Sequence, residues 1–92
     1  MNITSPHLPR RLTRLAALLA AATLMGAYGD RNAVSTLEQL VISDTDPFVR
    51  RNAAWALGQI GSHDAAGALI TAQNDKSGLV RLVAKASLAQ LK

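Results

Sequence analysis

Two stretches of this 92-residue chain each align with a later stretch at nearly the same spacing. Residues 24–37, LMGAYGDRNAVSTL, align with residues 56–69, ALGQIGSHDAAGAL, at an offset of 32. Residues 44–57, DTDPFVRRNAAWAL, align with residues 75–88, DKSGLVRLVAKASL, at an offset of 31. A period of roughly 20 to 50 residues is the signature of a solenoid, in which one small structural unit stacks on the next. The chain is therefore predicted to be a repeat protein.

Local patterns indicate that each unit is a pair of helices. Apolar residues recur at helical spacing, and the predicted helices span residues 32–42, 47–60, 64–73 and 79–91. Asp46 suits the N-cap of the second helix, Pro47 its first position, and Gly61 its C-terminal end. The side chains expected to point inward are Ala33, Leu37, Leu40, Val41, Val49, Ala53, Ala56, Leu57 and Ile60.

The predicted fold class is all-α: an α-solenoid of two helical hairpins preceded by one N-terminal capping helix, about five helices in all. We expect a flexible N-terminus at residues 1–9, the capping helix at 10–29, a first repeat at 30–61 and a second at 62–92. One hairpin cannot bury both of its faces, so neighbouring hairpins must stack.

Residues 10–29 admit two interpretations. Three arginines precede an uncharged apolar run at residues 15–27, which is the pattern of a bacterial secretory signal cleaved after residue 29. Alternatively, the segment is the second helix of a degenerate repeat, because its MGAYG sequence aligns with LGQIG at residues 57–61. A retained capping helix predicts a cytoplasmic protein. A cleaved signal predicts export to the periplasm, and only a signal or anchor in this segment would bring contact with a membrane.

One motif occupies residues 44–61: an Asp-x-Asp-Pro turn, a Val-Arg pair, two small residues and an Ala-Leu-Gly-x-Ile-Gly end. This motif resembles a HEAT repeat of the short type named after phycobilisome lyases, and the resemblance covers about residues 24–92. The second copy departs from it, with Ser77 and Gly78 in place of Asp-Pro, Lys85 in place of the second Ala, and Ala89 in place of Gly.

The resemblance implies a structural role for the charged residues of the motif. In the family, neighbouring repeats tie a turn Asp to a helix Arg in a ladder of hydrogen bonds. Carried over to this chain, the structural ladder consists of Asp44, Asp46, Arg50, Asp75 and Arg81. The competing interpretation is an anion site built on Arg50 and Arg81.

The sequence offers little for catalysis or metal binding. His7 and His63 are the only histidines, neither is followed by Glu, and the chain has no Cys. Larger helical-repeat relatives resemble this chain yet carry paired His-Glu motifs that hold two irons, and that ligand set is missing here. No catalytic residue, metal ligand or cofactor is predicted, and His63 is expected in a solvated turn.

The net charge of +4 does not indicate nucleic-acid binding along the whole chain. Arg10, Arg11 and Arg14 carry most of the excess, and from residue 15 onward seven Lys or Arg oppose six Asp or Glu. The part expected to fold is therefore close to neutral, which disfavours a nucleic-acid partner.

The free positions of the second helices are predicted to form a concave binding face. These positions are Arg51, Asn52, Trp55, Gln59, Leu82, Val83, Ala86 and Gln90. Trp55, the only Trp, is either a binding hot spot or packed against the N-terminal segment near Thr23. The predicted partner is another protein, or a second copy bound through an open C-terminal helix.

The predicted function is a small HEAT-repeat protein-binding or scaffold module without its own catalytic site. The name-giving family suggests an alternative, an accessory subunit of a phycobilin lyase/isomerase-type enzyme, so the enzyme question stays open.

Overall fold

A computed structural model of the chain describes residues 33–91, and within this range it contains α-helices and no β-strand. The helices are α1 (Val34–Ser43), α2 (Pro47–Ile60), α3 (Ala66–Ala72) and α4 (Gly78–Leu88), with a short 3₁₀ helix (His63–Ala65) leading into α3. The all-α class and the stacked hairpins are thus confirmed. The predictions for residues 1–32, including the capping helix or signal, lie outside the described residues.

The two hairpins begin their second helices with the same kind of turn. Asp44 Oδ1 accepts a hydrogen bond from the Asp46 backbone N–H at 2.9 Å, and Asp75 Oδ1 accepts one from the Ser77 N–H at 2.8 Å. Asp46 then caps α2 by accepting from the Phe48 N–H at 2.9 Å, as predicted. Ser77 takes the place of Asp46 in the second hairpin and caps α4 by accepting from the Val80 N–H at 3.5 Å.

The core lies between the helices and is filled by aliphatic side chains. Helix α2 packs against both α1 and α4, while α3 packs against α1 and α4. The largest fully buried side chains are Leu37, Val41, Val49, Leu57, Leu69 and Val80. Every side chain predicted to point inward is buried except Leu40, which is half-buried at the edge of the core.

Helices α2 and α4 approach closely at one glycine. A Cβ added to Gly58 would lie 2.6 Å from Ser87 Oγ and 2.9 Å from Ser87 Cα. Gly58 lies inside α2 and does not end the helix. Its missing side chain makes room for α4. Only Gly61 ends the helix, with a left-handed φ of 72°.

Three of the four helices have boundaries that differ from their predictions. Helix α4 ends at Leu88 rather than at residue 91. At the end of the described chain the hydrogen bonds join residues three apart instead of four, as in a 3₁₀ turn: the Gln90 N–H donates to Ser87 O at 2.9 Å. The helix predicted from residue 64 starts as the 3₁₀ helix, with Ser62 Oγ accepting from the Asp64 N–H. Helix α1 begins two residues later and ends one residue later than predicted.

Candidate functional site

A buried arginine joins the two hairpins at their turns. Arg50 Nε donates to Asp75 Oδ2 at 2.8 Å, and Arg50 Nη2 donates to Asp75 Oδ1 at 3.1 Å. The same guanidinium donates through Nη1 to the backbone carbonyl of Asp44 at 2.8 Å. Arg50 is only 4% exposed. One side chain from α2 therefore binds the turn that precedes it and the turn of the next hairpin.

The charge of Arg50 acts on the acidity of Asp75. Burial alone would raise the pKa of the Asp75 carboxyl, but the hydrogen bond from Arg50 and that from the Ser77 N–H oppose burial. The positive charges of Arg50 and Lys76 add to this effect, and the pKa of Asp75 lies below its ordinary value of 3.8. The Asp75 carboxyl is therefore ionised at neutral pH.

Arg81 holds the place of Arg50 in the second hairpin but is exposed. Its Nη1 donates to the backbone carbonyl of Asp75 at 2.6 Å, which matches the bond from Arg50 to the carbonyl of Asp44. The structure thus links Asp44, Arg50, Asp75 and Arg81, whereas the side chain of Asp46 serves the N-cap of α2. Because Asp75 occupies the Nε and Nη2 edge of Arg50, that edge does not offer a site for an external anion.

A groove runs between the exposed faces of α2 and α4. It has a volume of about 390 Å³ and is lined by Arg51, Asn52, Trp55, Leu79 and Val83. The Trp55 side chain is 37% exposed and Leu79 is 42% exposed. The groove is therefore an apolar channel with polar groups on its α2 side.

Two contacts fix Arg51 at the edge of this groove. Its Nε donates to Asn52 Oδ1 at 2.9 Å, and its guanidinium carbon lies 5.5 Å from the centroid of the Phe48 ring. The second contact has the geometry of a cation–π interaction. Phe48 is 47% exposed and extends the apolar surface beyond the groove.

The remaining predicted face residues are divided between this groove and other positions. Gln59 Nε2 donates to Gln90 Oε1 at 3.3 Å, which joins the two second helices near their C-terminal ends. Ala86 is exposed on α4. Leu82 is 66% exposed but lies apart from the groove, in a depression with Gln73, Gly78, Arg81 and Lys85.

The comparison with known protein families decides the class of the chain. The family of HEAT repeats matches residues 9–89. The chain belongs to the HEAT repeat family. No curated protein sequence is significantly similar to it.

In this HEAT repeat protein, the predicted binding face left out two exposed apolar side chains, Phe48 and Leu79. They occupy equivalent positions at the repeat offset of 31, and each is a large apolar side chain in the first turn of a second helix. Leu79 also precedes Val83 by four residues, so the two lie on the same helix face. That spacing was the signal available in the sequence.

The described part of this HEAT repeat protein offers no metal centre. Within residues 33–91, His, Cys, Asp and Glu form no group of three or more that could hold a metal ion. His63 is exposed in the 3₁₀ helix. Over the same range, every helix is too short or too polar to cross a membrane.

Proposed function

We propose that this HEAT repeat protein is a small protein-binding module and that α2 and α4 form its binding face. The observation that carries the proposal is the groove in which Trp55, Leu79 and Val83 present apolar surface to the solvent. HEAT repeats commonly serve as scaffolds for protein interactions. The groove is the described surface where an apolar anchor of a partner can be buried between two helices.

The chemistry of the groove suits a peptide anchor better than a reaction. Trp is among the residues that contribute most to protein interfaces, since its large ring buries much apolar area at little entropic cost. Arg51 and Asn52 supply hydrogen-bond donors at the edge, where they fix orientation. Neither is paired with a nucleophile or a general base.

Site-specific cross-linking in the natural host tests this function. A photoreactive amino acid replaces Leu79 in the groove, and a matched variant carries it in place of Ile70, which is 53% exposed on α3. We expect a discrete protein adduct from position 79, its loss when Trp55→Ala is added, and no such adduct from position 70. Equal labelling at both positions, or an adduct that ignores Trp55, would refute the proposal.

The second candidate is an accessory subunit of a phycobilin lyase/isomerase. It is favoured by the short repeat period and by the motif at residues 44–61, which resembles the phycobilisome-lyase type. The groove is open and small for a tetrapyrrole, so bilin binding would need a second chain. Visible absorbance after incubation with bilin, and transfer to an acceptor protein, distinguish this candidate; a flat spectrum without transfer removes it.

We propose further that residues 10–29 stay in the protein as a capping helix and that the protein is cytoplasmic. The family match supports this, since it begins at residue 9. A native mass spectrum of the protein from its own host tests it. The full-length mass supports the proposal, whereas a mass lacking the first 29 residues supports a cleaved signal and export. The same spectrum shows whether the module pairs with a second copy of itself or holds another protein.

A further inference from the structure

Helix α2 carries a stripe of three residues, and two of them meet the second hairpin. Arg50, Ala54 and Gly58 follow one another at a spacing of four, so they lie on one side of the helix. All three are buried. Arg50 binds Asp75, and Gly58 lets Ser87 approach closely. This inner stripe therefore combines a carboxylate-binding arginine with two small residues, one of which, Gly58, admits the neighbouring helix.

The same stripe on the outer side of the second hairpin has changed in two of its three positions. The repeat offset of 31 places Arg81, Lys85 and Ala89 where the first hairpin has Arg50, Ala54 and Gly58. All three residues of this outer stripe are exposed. The arginine is kept, but a cation replaces a buried Ala and a methyl group replaces the hydrogen of Gly. A helix packed as α4 packs on α2 would meet both added side chains.

The retained arginine is already oriented. Arg81 Nη1 donates to the Asp75 carbonyl at 2.6 Å, just as Arg50 Nη1 donates to the Asp44 carbonyl at 2.8 Å. In Arg50 this bond leaves Nε and Nη2 facing a carboxylate. In Arg81, Nε and Nη2 make no hydrogen bond to any of residues 33–91, and the guanidinium rests beside Gly78, with Nη2 3.3 Å from the position of a Cβ there.

The charges beside Arg81 are positive apart from Asp75, whose carboxylate is bound by Arg50. A depression of about 410 Å³ at this place is lined by Gln73, Gly78, Arg81, Leu82 and Lys85. Helix α4 contains no Asp or Glu, and Lys76 is exposed in the turn before it. Two cations at a spacing of four lie on the same face, so both can act on one acidic ligand.

We propose that this outer stripe is a second binding site, separate from the groove, that takes the carboxylates of an acidic segment of a protein partner. One carboxylate binds the Nε and Nη2 edge of Arg81, as Asp75 binds Arg50, and a second carboxylate pairs with Lys85. The apolar side chain of Leu82, 66% exposed, borders the site. A further HEAT hairpin of the same design is a poor occupant, since Lys85 and Ala89 stand where it would pack.

The test follows the arginine side-chain Nε–Hε signals by NMR while acetyl-tetra-aspartate amide is added to the full chain at constant ionic strength. Acetyl-tetra-asparagine amide is the uncharged control, and inorganic phosphate is the competing anion. We expect a saturable shift of the Arg81 signal with the aspartate peptide alone. Arg81→Lys keeps the positive charge but removes the paired N–H donors that bind both oxygens of a carboxylate, and it should weaken peptide binding about tenfold.

Three further variants make the result specific. Lys85→Gln should weaken binding about threefold, while Arg51→Lys and Trp55→Ala, both in the groove, should leave it unchanged. Circular dichroism checks that each variant is folded. If Arg81→Lys does not fold, Lys85→Gln and the shift of Arg81 in the unaltered protein still decide the question. Because the groove variants are read separately, failure here does not bear on the cross-linking result.

Several outcomes would overturn this site. Unchanged affinity in Arg81→Lys would mean that only surface charge attracts the peptide. A shift confined to other arginines would place the ligand elsewhere, and tighter binding of phosphate would contradict the assignment of a carboxylate. A concentration-dependent dimer that protects the Arg81 Nε–Hε group without peptide would make a second copy of the chain the occupant.

Discussion

Arg50 and Arg81 show how one residue type at one repeat position takes on two environments. Both donate through Nη1 to the carbonyl of the residue six places earlier. Only Arg50 finds a carboxylate on a following turn, and only Arg50 is buried. The difference lies in what stands beside the helix, so the contribution of each arginine to stability should differ as well.

Arg50→Ala should lower the free energy of unfolding by about 3 kcal/mol, because it leaves the Asp75 carboxylate and the Asp44 carbonyl without their shared donor. Urea unfolding at neutral pH measures this. The matched control is Arg81→Ala, which removes one exposed side chain and should cost less than about 1 kcal/mol. Equal losses in the two variants would contradict the role of the Arg50–Asp75 pair.

Asp75 should make stability depend on pH in the acid range. The pKa of Asp75 is lower in the folded protein than in the unfolded chain, where it is about 3.9. The stabilisation that ionised Asp75 provides is therefore complete above pH ~3.9, and it is lost as the pH falls through the lowered pKa of the folded protein. Urea midpoints measured from pH 7 to pH 2 should fall for the unaltered protein. Asp75→Asn should start lower at pH 7, and its curve should converge with that of the unaltered protein in acid. Asp64→Asn, at an exposed carboxylate, is the control and should leave the urea midpoint at pH 7 unchanged.

At the scale of helices, two glycines differ in their surroundings: Gly58 is tightly packed, whereas Gly67 has open space beside it. Gly58 sits where α2 meets α4, and an added Cβ would collide with Ser87. Gly67 sits in α3 with no atom within 4 Å of an added Cβ, the helix's own backbone aside. The same substitution therefore tests two different physical effects.

Gly58→Ala should destabilise the protein by about 1–2 kcal/mol, because overpacking outweighs the better helix propensity of Ala. Gly67→Ala should instead stabilise it by about 0.5 kcal/mol, since Ala loses less backbone entropy in a helix. Thermal and urea unfolding of the two variants provide the measurement. A stabilised Gly58→Ala protein would mean that α2 and α4 can separate without loss.

The positions of most helices could be predicted because the helical spacing of apolar residues and the capping residues indicate the same segments. Asp46, Pro47 and Gly61 mark the ends of α2 by capping chemistry that depends only on neighbouring residues. Gly58 could not be assigned in the same way. Its role depends on Ser87, which is 29 residues away, and a glycine near a helix end has the same local pattern whether it stops the helix or admits a neighbour.

At the scale of the whole described region, the two hairpins share one core. Helix α2 belongs to the first hairpin and packs on α4 of the second, and Arg50 joins their turns. The groove lies across this junction, with Trp55 on one side and Val83 on the other. The sequence placed Trp55, Val83 and Leu82 on one predicted face. That Trp55 and Val83 line the same groove, and that Leu82 lies apart from it, depends on how the two hairpins stack.

Trp55 fluorescence and far-ultraviolet circular dichroism should therefore report a single urea transition with the same midpoint. Leu69→Ala, in the core of the second hairpin, should lower the free energy of unfolding by about 2–5 kcal/mol and move both signals equally. Ile70→Ala is the matched control, because this neighbouring side chain is exposed. A fluorescence midpoint that does not move in Leu69→Ala would show that the hairpins unfold independently.

The unequal stripes on the two hairpins have a consequence for how such a chain can lengthen. Suppose that a copy of residues 30–61 is inserted before residue 62. The inserted hairpin would pack against Ala54 and Gly58 of the first hairpin, and it would present its own copies of these two small residues to the last hairpin. A copy added beyond α4 would meet Lys85 and Ala89 instead. Gene duplication would therefore extend this array from within, and a designer who wants a longer array should do the same.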